Sequence, residues 1–371
     1  MAQARLTPLA ASLPATVPFT GPETIERKQG RAFNLRLGAN ENGFGPSPRA
    51  IAAMQEAAAR AWCYGDPEVH DLKRALAAHH GCAPENIVVG EGIDGLLGLL
   101  VRLIVGQGDP VVSTFGGYPT FNFHVAGFGG VLHTVPYDGL HEDPAALVAK
   151  AAEVGAKLVY FANPDNPMGT CHPAATVKAM VEAVPAGALL VLDEAYVDLA
   201  PAGTAPEIDP DDARVIRFRT FSKAHGLAGL RVGYAIGPQD LIAAFDRVRN
   251  HFGLGPVAQA GALAALQDQD WLAGMRDKIA ASRESLYQMA RENGLTPIPS
   301  ATNFVTMDCG RDAGFAVGIL NGFAARGVFI RKPGTAPHDR CIRISCGTPD
   351  EMARLRALFP DVMAEMTAPA S

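Results

Sequence analysis

From Thr220 to Tyr234 the chain reads TFSKAHGLAGLRVGY. An apolar run, VIRFRTF, leads into this stretch and stops at Ser222-Lys223; a glycine-rich turn follows, and a second apolar run, RVGYAIG, leaves it. Continuously apolar strands of this kind are buried on both faces, as in a sheet covered by helices. The same texture recurs upstream in NIVVG, DPVVSTF, AKLVYFANP and GALLVLDEAY, each separated from the next by a helical pattern. That alternation predicts a mainly parallel α/β sheet. From about Asp240 the texture changes to long helical patterns, DLIAAFDRVRNHF and WLAGMRDKIAASRESLYQMAREN, which finish near Gly294. NFVTMDC, GVFIRK and CIRISCGT then follow, with one helix between the first two, and predict a smaller α+β domain. The first 45 or so residues are rich in Pro and Gly and read as an arm.

Composition narrows the function. The chain has 371 residues, 48% hydrophobic and 19% charged, with a net charge of −6, the profile of an ordinary globular protein with no basic excess for nucleic acid. Its 6 cysteines are scattered without metal-ligand spacing, which predicts free thiols and neither a zinc site nor a disulfide framework. No metal is expected. Pro8, Pro14 and Pro18 interrupt the start before a signal-peptide core forms, and the apolar segment Leu96 to Val105 is too short to span a bilayer. A cytoplasmic protein is expected.

Asn86 to Ile104, NIVVGEGIDGLLGLLVRLI, contains G-x-G-x-x-G at Gly90, Gly92 and Gly95, between an apolar run and a helical pattern. A dinucleotide site also needs an acidic residue leaving the next strand. Asp109 has roughly the spacing but lies in the turn before VVSTF, so it enters that strand. What remains is the physics of the turn: backbone N–H groups at a positive helix end, where a phosphate is favoured. The strand ending in Asp193-Glu194 resembles an NTPase magnesium strand, but the Gly-Lys of a P-loop occurs nowhere in the chain.

Taken together with ANPDNPMGT, DEAY, LGANENGFGPSP and CIRISCGTPDEM, the Thr220–Tyr234 stretch resembles the fold type I pyridoxal-phosphate aminotransferases, most closely their histidinol-phosphate aminotransferase branch. The likeness covers nearly the whole chain. It implies an arm at 1–45 that joins part of the small domain, a large cofactor domain at 46–254 with a mainly parallel seven-stranded sheet, and a small α+β domain at 255–371. It implies a pyridoxal 5'-phosphate cofactor and the following roles. Lys223 would condense with the cofactor aldehyde and later carry protons. Asp193 would keep the pyridine nitrogen protonated, and Tyr196 and Asn166 would hydrogen-bond the ring oxygen. Ser222, Arg231 and the N–H groups of Gly92 and Ile93 would hold the phosphate. The branch often has a hydroxyl residue where this chain has Ile93, so only a main-chain contact is expected there. His124 falls where the branch places a tyrosine that stacks on the ring. Tyr64, in WCYGDP, matches a tyrosine that reaches the neighbouring subunit's cofactor phosphate, which implies a homodimer with shared sites. Arg343 would grip the α-carboxylate and Arg331 the distal phosphate, with Asn42 and Phe44 of NENGFGPSP at the substrate. Each residue has a plainer reading: Lys223, Arg331 and Arg343 as surface charges, Asp193 as a helix cap, Tyr196 and Tyr64 as packed aromatics, Asn166 as a turn residue.

The expected activity is transfer of an amino group from histidinol phosphate to 2-oxoglutarate. Aromatic amino acids are the close alternative, since Phe44 stands where the branch commonly has a tyrosine. A phosphothreonine decarboxylase would share most of these residues, and release of CO₂ would identify it. An NAD-dependent Rossmann dehydrogenase is the rival from another class. A non-catalytic pyridoxal-binding regulator lacks support, because no DNA-binding segment or basic patch accompanies the domain.

Overall fold

A computed structural model describes residues 5–15 and 20–367. The remaining positions of the arm, 1–4 and 16–19, and residues 368–371 lie outside the described residues. Seven strands build the main sheet: β1 (Ile87–Gly90), β2 (Pro110–Thr114), β3 (Val131–Val135), β4 (Leu158–Ala162), β5 (Leu189–Asp193), β6 (Val215–Thr220) and β7 (Gly233–Ile236). Their order is β1-β7-β6-β5-β4-β2-β3. Only β7 runs against its neighbours; the other pairings are parallel. The sheet is thus the seven-stranded, mainly parallel one expected.

Strands β4 and β5 are buried at all of their positions, which is why they read as unbroken apolar runs. Alternate residues feed two cores: Tyr160, Val191 and Phe218 pack with Leu96 and Leu100 of helix Gly92–Ile104, while Val159, Phe161, Leu190 and Leu192 pack with Val177 and Val181 on the other face. Chain order turns back at β2, with β3 outside it and β4 inside it. At such a switch point the connections leave on opposite faces and open a crevice beyond the carboxyl ends of the strands. Asp193 ends β5 level with Ala162 of β4 and Phe218 of β6, at the floor of that crevice.

A second core joins helices Gln269–Glu292, Ala313–Ala325 and Pro349–Thr367 to a three-stranded antiparallel sheet of β8 (Thr296–Pro297), β9 (Phe304–Asp308) and β10 (Cys341–Ser345), ordered β10-β9-β8. The arm belongs to this core. Leu35–Arg36 pairs in parallel with Val328–Phe329, and Leu35 and Leu37 are buried with Val305, Ile319 and Ile344.

One expectation changes on packing grounds. DLIAAFDRVRNHF is not one long helix: Gln239–Ala244 is followed by a 3-10 turn, Phe245–Arg247, because Phe245 is drawn into the core against helix Gly92–Ile104. Helix Pro256–Gln267 buries Ala258, Ala262 and Leu266 together with Leu72, Val89 and Phe221, so it packs with the large sheet. The next helix, Gln269–Glu292, begins after its N-cap Asp268 and packs in the second core. Among the described residues no helix is long and apolar enough to cross a membrane.

Candidate active site

The crevice has three chemically distinct parts. At the first, β1 ends in Gly90 and helix Gly92–Ile104 begins, the strand–turn–helix order expected from the glycine pattern. Gly92 has φ +75°, and a Cβ built on it would lie 2.4 Å from Arg231 Nη2. Glycine is therefore required both for the backbone conformation and for the approach of the guanidinium. Arg231 itself sits at φ 54°, a conformation that costs an arginine energy and that tertiary contacts must hold. Its Nη1 donates to Ser222 Oγ at 3.3 Å and to the Ala228 carbonyl at 3.1 Å, and its Nη2 lies 3.8 Å from Asp94 Oδ2. Ser222 Oγ also accepts from Thr220 Oγ1 at 3.0 Å, so its own proton is available to a ligand. A helix N-terminus, a guanidinium and a hydroxyl thus converge on one point, a donor set suited to a phosphate dianion.

The second part is aromatic. Asp193 is 5% exposed; Oδ2 accepts from Tyr160 Oη at 2.6 Å and Oδ1 from the Ala195 N–H at 2.9 Å. Burial pushes the carboxyl up to about 6, against the pull of these two bonds. A cationic ring N–H facing it would favour the carboxylate, which fits the residue to a protonated pyridine nitrogen. Tyr196, held above its ordinary range at about 12 mainly by burial, stays protonated and accepts from Asn40 Nδ2 at 3.0 Å. Lys223 Nζ donates to the Asn40 carbonyl at 3.2 Å and lies 5.5 Å from the centre of the Tyr196 ring. Burial first, then the positive charge of Arg343, lowers its ammonium to about 8. A neutral, nucleophilic amine is therefore within reach near neutral pH, and an isolated surface lysine would lack that property.

The third part is anionic in its preference. Arg343, on β10, and Arg331 form a two-residue antiparallel bridge, with N···O distances of 3.1 and 2.6 Å between their main chains. Arg343 Nη1 donates to Asn166 Oδ1 at 2.5 Å and Nη2 to the Gly38 carbonyl at 3.3 Å, while its buried Nε has no hydrogen-bond partner among the described residues. Burial, and then the neighbouring Arg331, lower Arg343 to about 10; it remains a cation. Arg331 donates to the Thr20 carbonyl of the arm at 2.8 Å. Two guanidiniums brought together in partial burial repel each other, and a bound anion relieves that repulsion.

The structure thus brings Gly92, Ile93, Ser222, Lys223, Arg231, Asp193, Tyr196, Asn166, Arg343 and Arg331 into one crevice. Three of the expected site residues make other contacts. His124 packs against helix Gly92–Ile104, where a Cβ on Gly98 would lie 2.8 Å from its ring, and its buried Nε2 has no hydrogen-bond partner among the described residues. Tyr118, six residues earlier, is the aromatic turned to the site: its hydroxyl donates to Asp94 Oδ1 at 3.1 Å, and it acts electrostatically with Tyr196 and Arg343. Phe44 packs on the second core with Lys278 Nζ 5.8 Å from its ring centre, so its ring serves packing. Asn42 spends its amide on the Lys223 and Ala224 carbonyls, both at 3.2 Å, and on the Phe44 N–H. It ties the arm to the lysine turn. Tyr64 is 83% exposed and packs on Phe252 with ring centres 4.9 Å apart. Four contributors, Asn40, Asp94, Tyr118 and Tyr160, were not singled out from the sequence. Asn40, at φ 54°, is the hub of the arm: it holds Tyr196, Lys223 and Ser345 at once.

Comparison with known proteins agrees with this geometry. Residues 34–358 match the model of the family described as aminotransferase class I and II. A histidinol-phosphate aminotransferase of Moorella thermoacetica is 34% identical over 341 residues, which cover 91% of this chain and 87% of that protein. One from an Anaeromyxobacter species is 35% identical over 364 residues, covering 96% and 98%. The crystal structure of histidinol-phosphate aminotransferase from Sinorhizobium meliloti, in complex with pyridoxal-5'-phosphate, is similar with a TM-score of 0.95 and 51% identity, covering 99% of both chains. The family match spans the sheet, the lysine turn and both arginines, and the chain belongs to the class I and II aminotransferases.

Proposed function

We propose that this aminotransferase uses pyridoxal 5'-phosphate to move the amino group of histidinol phosphate to 2-oxoglutarate. The observation that carries the reading is the Arg331–Arg343 bridge at the mouth of a crevice whose floor fits the cofactor. Histidinol phosphate bears a phosphate ester on the side of the amine where an amino acid bears its carboxylate. A pair of guanidiniums there suits a dianion, while one of them suffices for the α-carboxylate of an amino acid. The relatives above, named for this activity, support the same substrate.

The roles of the side chains follow from their chemistry. Gly92, Ile93, Ser222 and Arg231 would fix the cofactor phosphate, Asp193 the ring nitrogen, and Tyr196 and Asn166 the ring oxygen, with Tyr118 in place of His124 on the ring face. When bound, pyridoxal phosphate supplies an electron sink for the pair left on the substrate carbon as its proton departs. Lys223 Nζ, with its lowered basicity, takes that proton as a general base and returns one as a general acid. Arg343 and Arg331 orient the substrate anion so that this carbon faces the lysine. The exposure of Tyr64, beside Trp62 at 85%, supports a homodimer in which Tyr64 reaches the partner's cofactor phosphate. Free thiols at all 6 cysteines support action in a reducing cytoplasm.

Arg331→Gln tests the substrate. It is expected to lower kcat/KM for histidinol phosphate by roughly 30-fold or more, the scale of one lost partner in a desolvated charge pair, and to affect phenylalanine much less. An unchanged ratio between the two donors would remove the phosphate role from Arg331.

A further inference from the structure

Beneath the loop that carries Asn166 lies a pair of carboxyls that the chemistry above leaves unused. Glu142 and Asp165 are each 2% exposed, and their carboxyls lie close enough to act on each other. Glu142 Oε2 accepts from the Thr114 hydroxyl, at the carboxyl end of β2, at 2.8 Å. Its Oε1 is buried and has no hydrogen-bond partner among the described residues. Asp165 is already the acceptor of other bonds, from Tyr137 Oη at 3.1 Å to each oxygen and from the Met168 N–H at 3.1 Å. Two carboxylates cannot donate to one another, and two like charges at this burial are costly, so a bond between them requires a proton. The surroundings supply little opposing charge. Tyr137 and Tyr160 face Glu142 as neutral phenols, and Arg343 acts on Asp165 from β10. His172 Nε2 is bonded to the main-chain oxygen of Glu142 at 2.8 Å and leaves its carboxyl alone, with His141 packed on the His172 ring at 5.4 Å. Glu142 also lies under the loop that leads to Tyr118, where a Cβ on Gly117 would come within 3.8 Å of Oε1.

We propose that Glu142 keeps its proton and donates it to Asp165, and that this single O–H···O bond locks the Asn166 loop to the Thr114–Tyr118 loop. Glu142 is then a positioning residue, acting on the site through Asn166 and Tyr118. Burial holds both carboxyls above their ordinary range, Asp165 at about 6 and Glu142 well above its usual value, in keeping with one shared proton. The positioning half rests on the function proposed above; the shared proton does not.

The sign of the pH effect follows. The folded chain retains a proton that the unfolded chain has lost, so stability falls as pH rises from the ordinary glutamate value toward the raised folded one. Glu142→Gln, whose amide donates at every pH, escapes that loss. Thermal unfolding of the full chain between pH 5 and 9 should therefore show the Tm of Glu142→Gln gaining on wild type with rising pH, by about 2 °C or more across the range. Asp165→Asn, which lets Glu142 ionise against an amide, should gain in the same direction. Parallel curves for wild type and both variants would overturn the shared proton. For the positioning role, Glu142→Ala is expected to lower kcat/KM by about 10- to 100-fold, the scale of a misplaced substrate or cofactor contact, and Glu142→Gln to restore most of it. Equal damage from Gln and Ala would overturn that role. If Glu142→Ala does not fold, or if wild type shows no transaminase turnover, the unfolding curves of Glu142→Gln and Asp165→Asn still decide the proton.

Discussion

Lys223→Ala is expected to lower turnover by at least about 10⁴-fold, because one amine serves as covalent anchor and as acid–base group, and removing a group with two roles is not made good by its neighbours. The loss should be chemical and not structural. Lys223 spends its Nζ on one bond, to the Asn40 carbonyl, and its turn is held independently by Asn42 and by the burial of Phe221 and Leu227. The variant should accordingly unfold at a temperature close to that of wild type. Borohydride reduction of the cofactor-loaded wild type, followed by peptide mapping, should put the modified lysine at 223 and show none in the variant. A modified residue elsewhere would end the assignment.

Arg343→Gln is expected to weaken every substrate, phosphorylated or not, by roughly 30- to several-thousand-fold in kcat/KM, corresponding to about 2–5 kcal/mol for a desolvated charge partner. The contrast with Arg331 follows from position. Arg343 reaches Asn166 and the Gly38 carbonyl and keeps a buried Nε with no hydrogen-bond partner among the described residues, whereas Arg331 reaches out to the Thr20 carbonyl of the arm. Removal of Arg343 also takes away the second-largest cause of the low Lys223 basicity, so the Lys223 ammonium should titrate higher in the variant lacking cofactor. That shift, followed by the pH dependence of chemical labelling of Lys223, separates an electrostatic neighbour from a mere packing residue. A defect confined to phosphorylated donors would exchange the roles given to the two arginines.

Much of this architecture was legible because two-sided burial leaves a continuous apolar signature, as in β4 and β5. The strand Val131–Val135 left no such trace. It is the sheet edge, Val131 is 45% exposed, and VLHTV carries a histidine and a threonine where an inner strand would carry aliphatic side chains. Helix Gln239–Ala244 was over-read for the opposite reason, since periodicity continues through Phe245 while tertiary packing bends the chain there.

In the site, residues with a fixed offset from a motif were found: Lys223 to Arg231 in one turn, Asp193 to Tyr196 in another. Residues that act through long-range contact were not. Asn40 meets Tyr196 across 156 positions and Ser345 across 305, and nothing local distinguishes it from Asn42 two residues on. His124 and Tyr118 sit on the same short segment and both meet Asp94, Tyr118 through the carboxylate and His124 through the main chain, so spacing alone does not tell their roles apart. The Glu142–Asp165 contact joins loops after different strands and was likewise beyond the reach of spacing.

Histidinol phosphate and 2-oxoglutarate, incubated with the purified, cofactor-loaded protein, provide the most direct test of the central claim, with glutamate measured as product. Glutamate is expected to form in step with consumption of histidinol phosphate, with no release of CO₂ and a kcat/KM above that for phenylalanine. Glutamate formed from phenylalanine alone would contradict the substrate, and no glutamate from any amino donor would contradict the function.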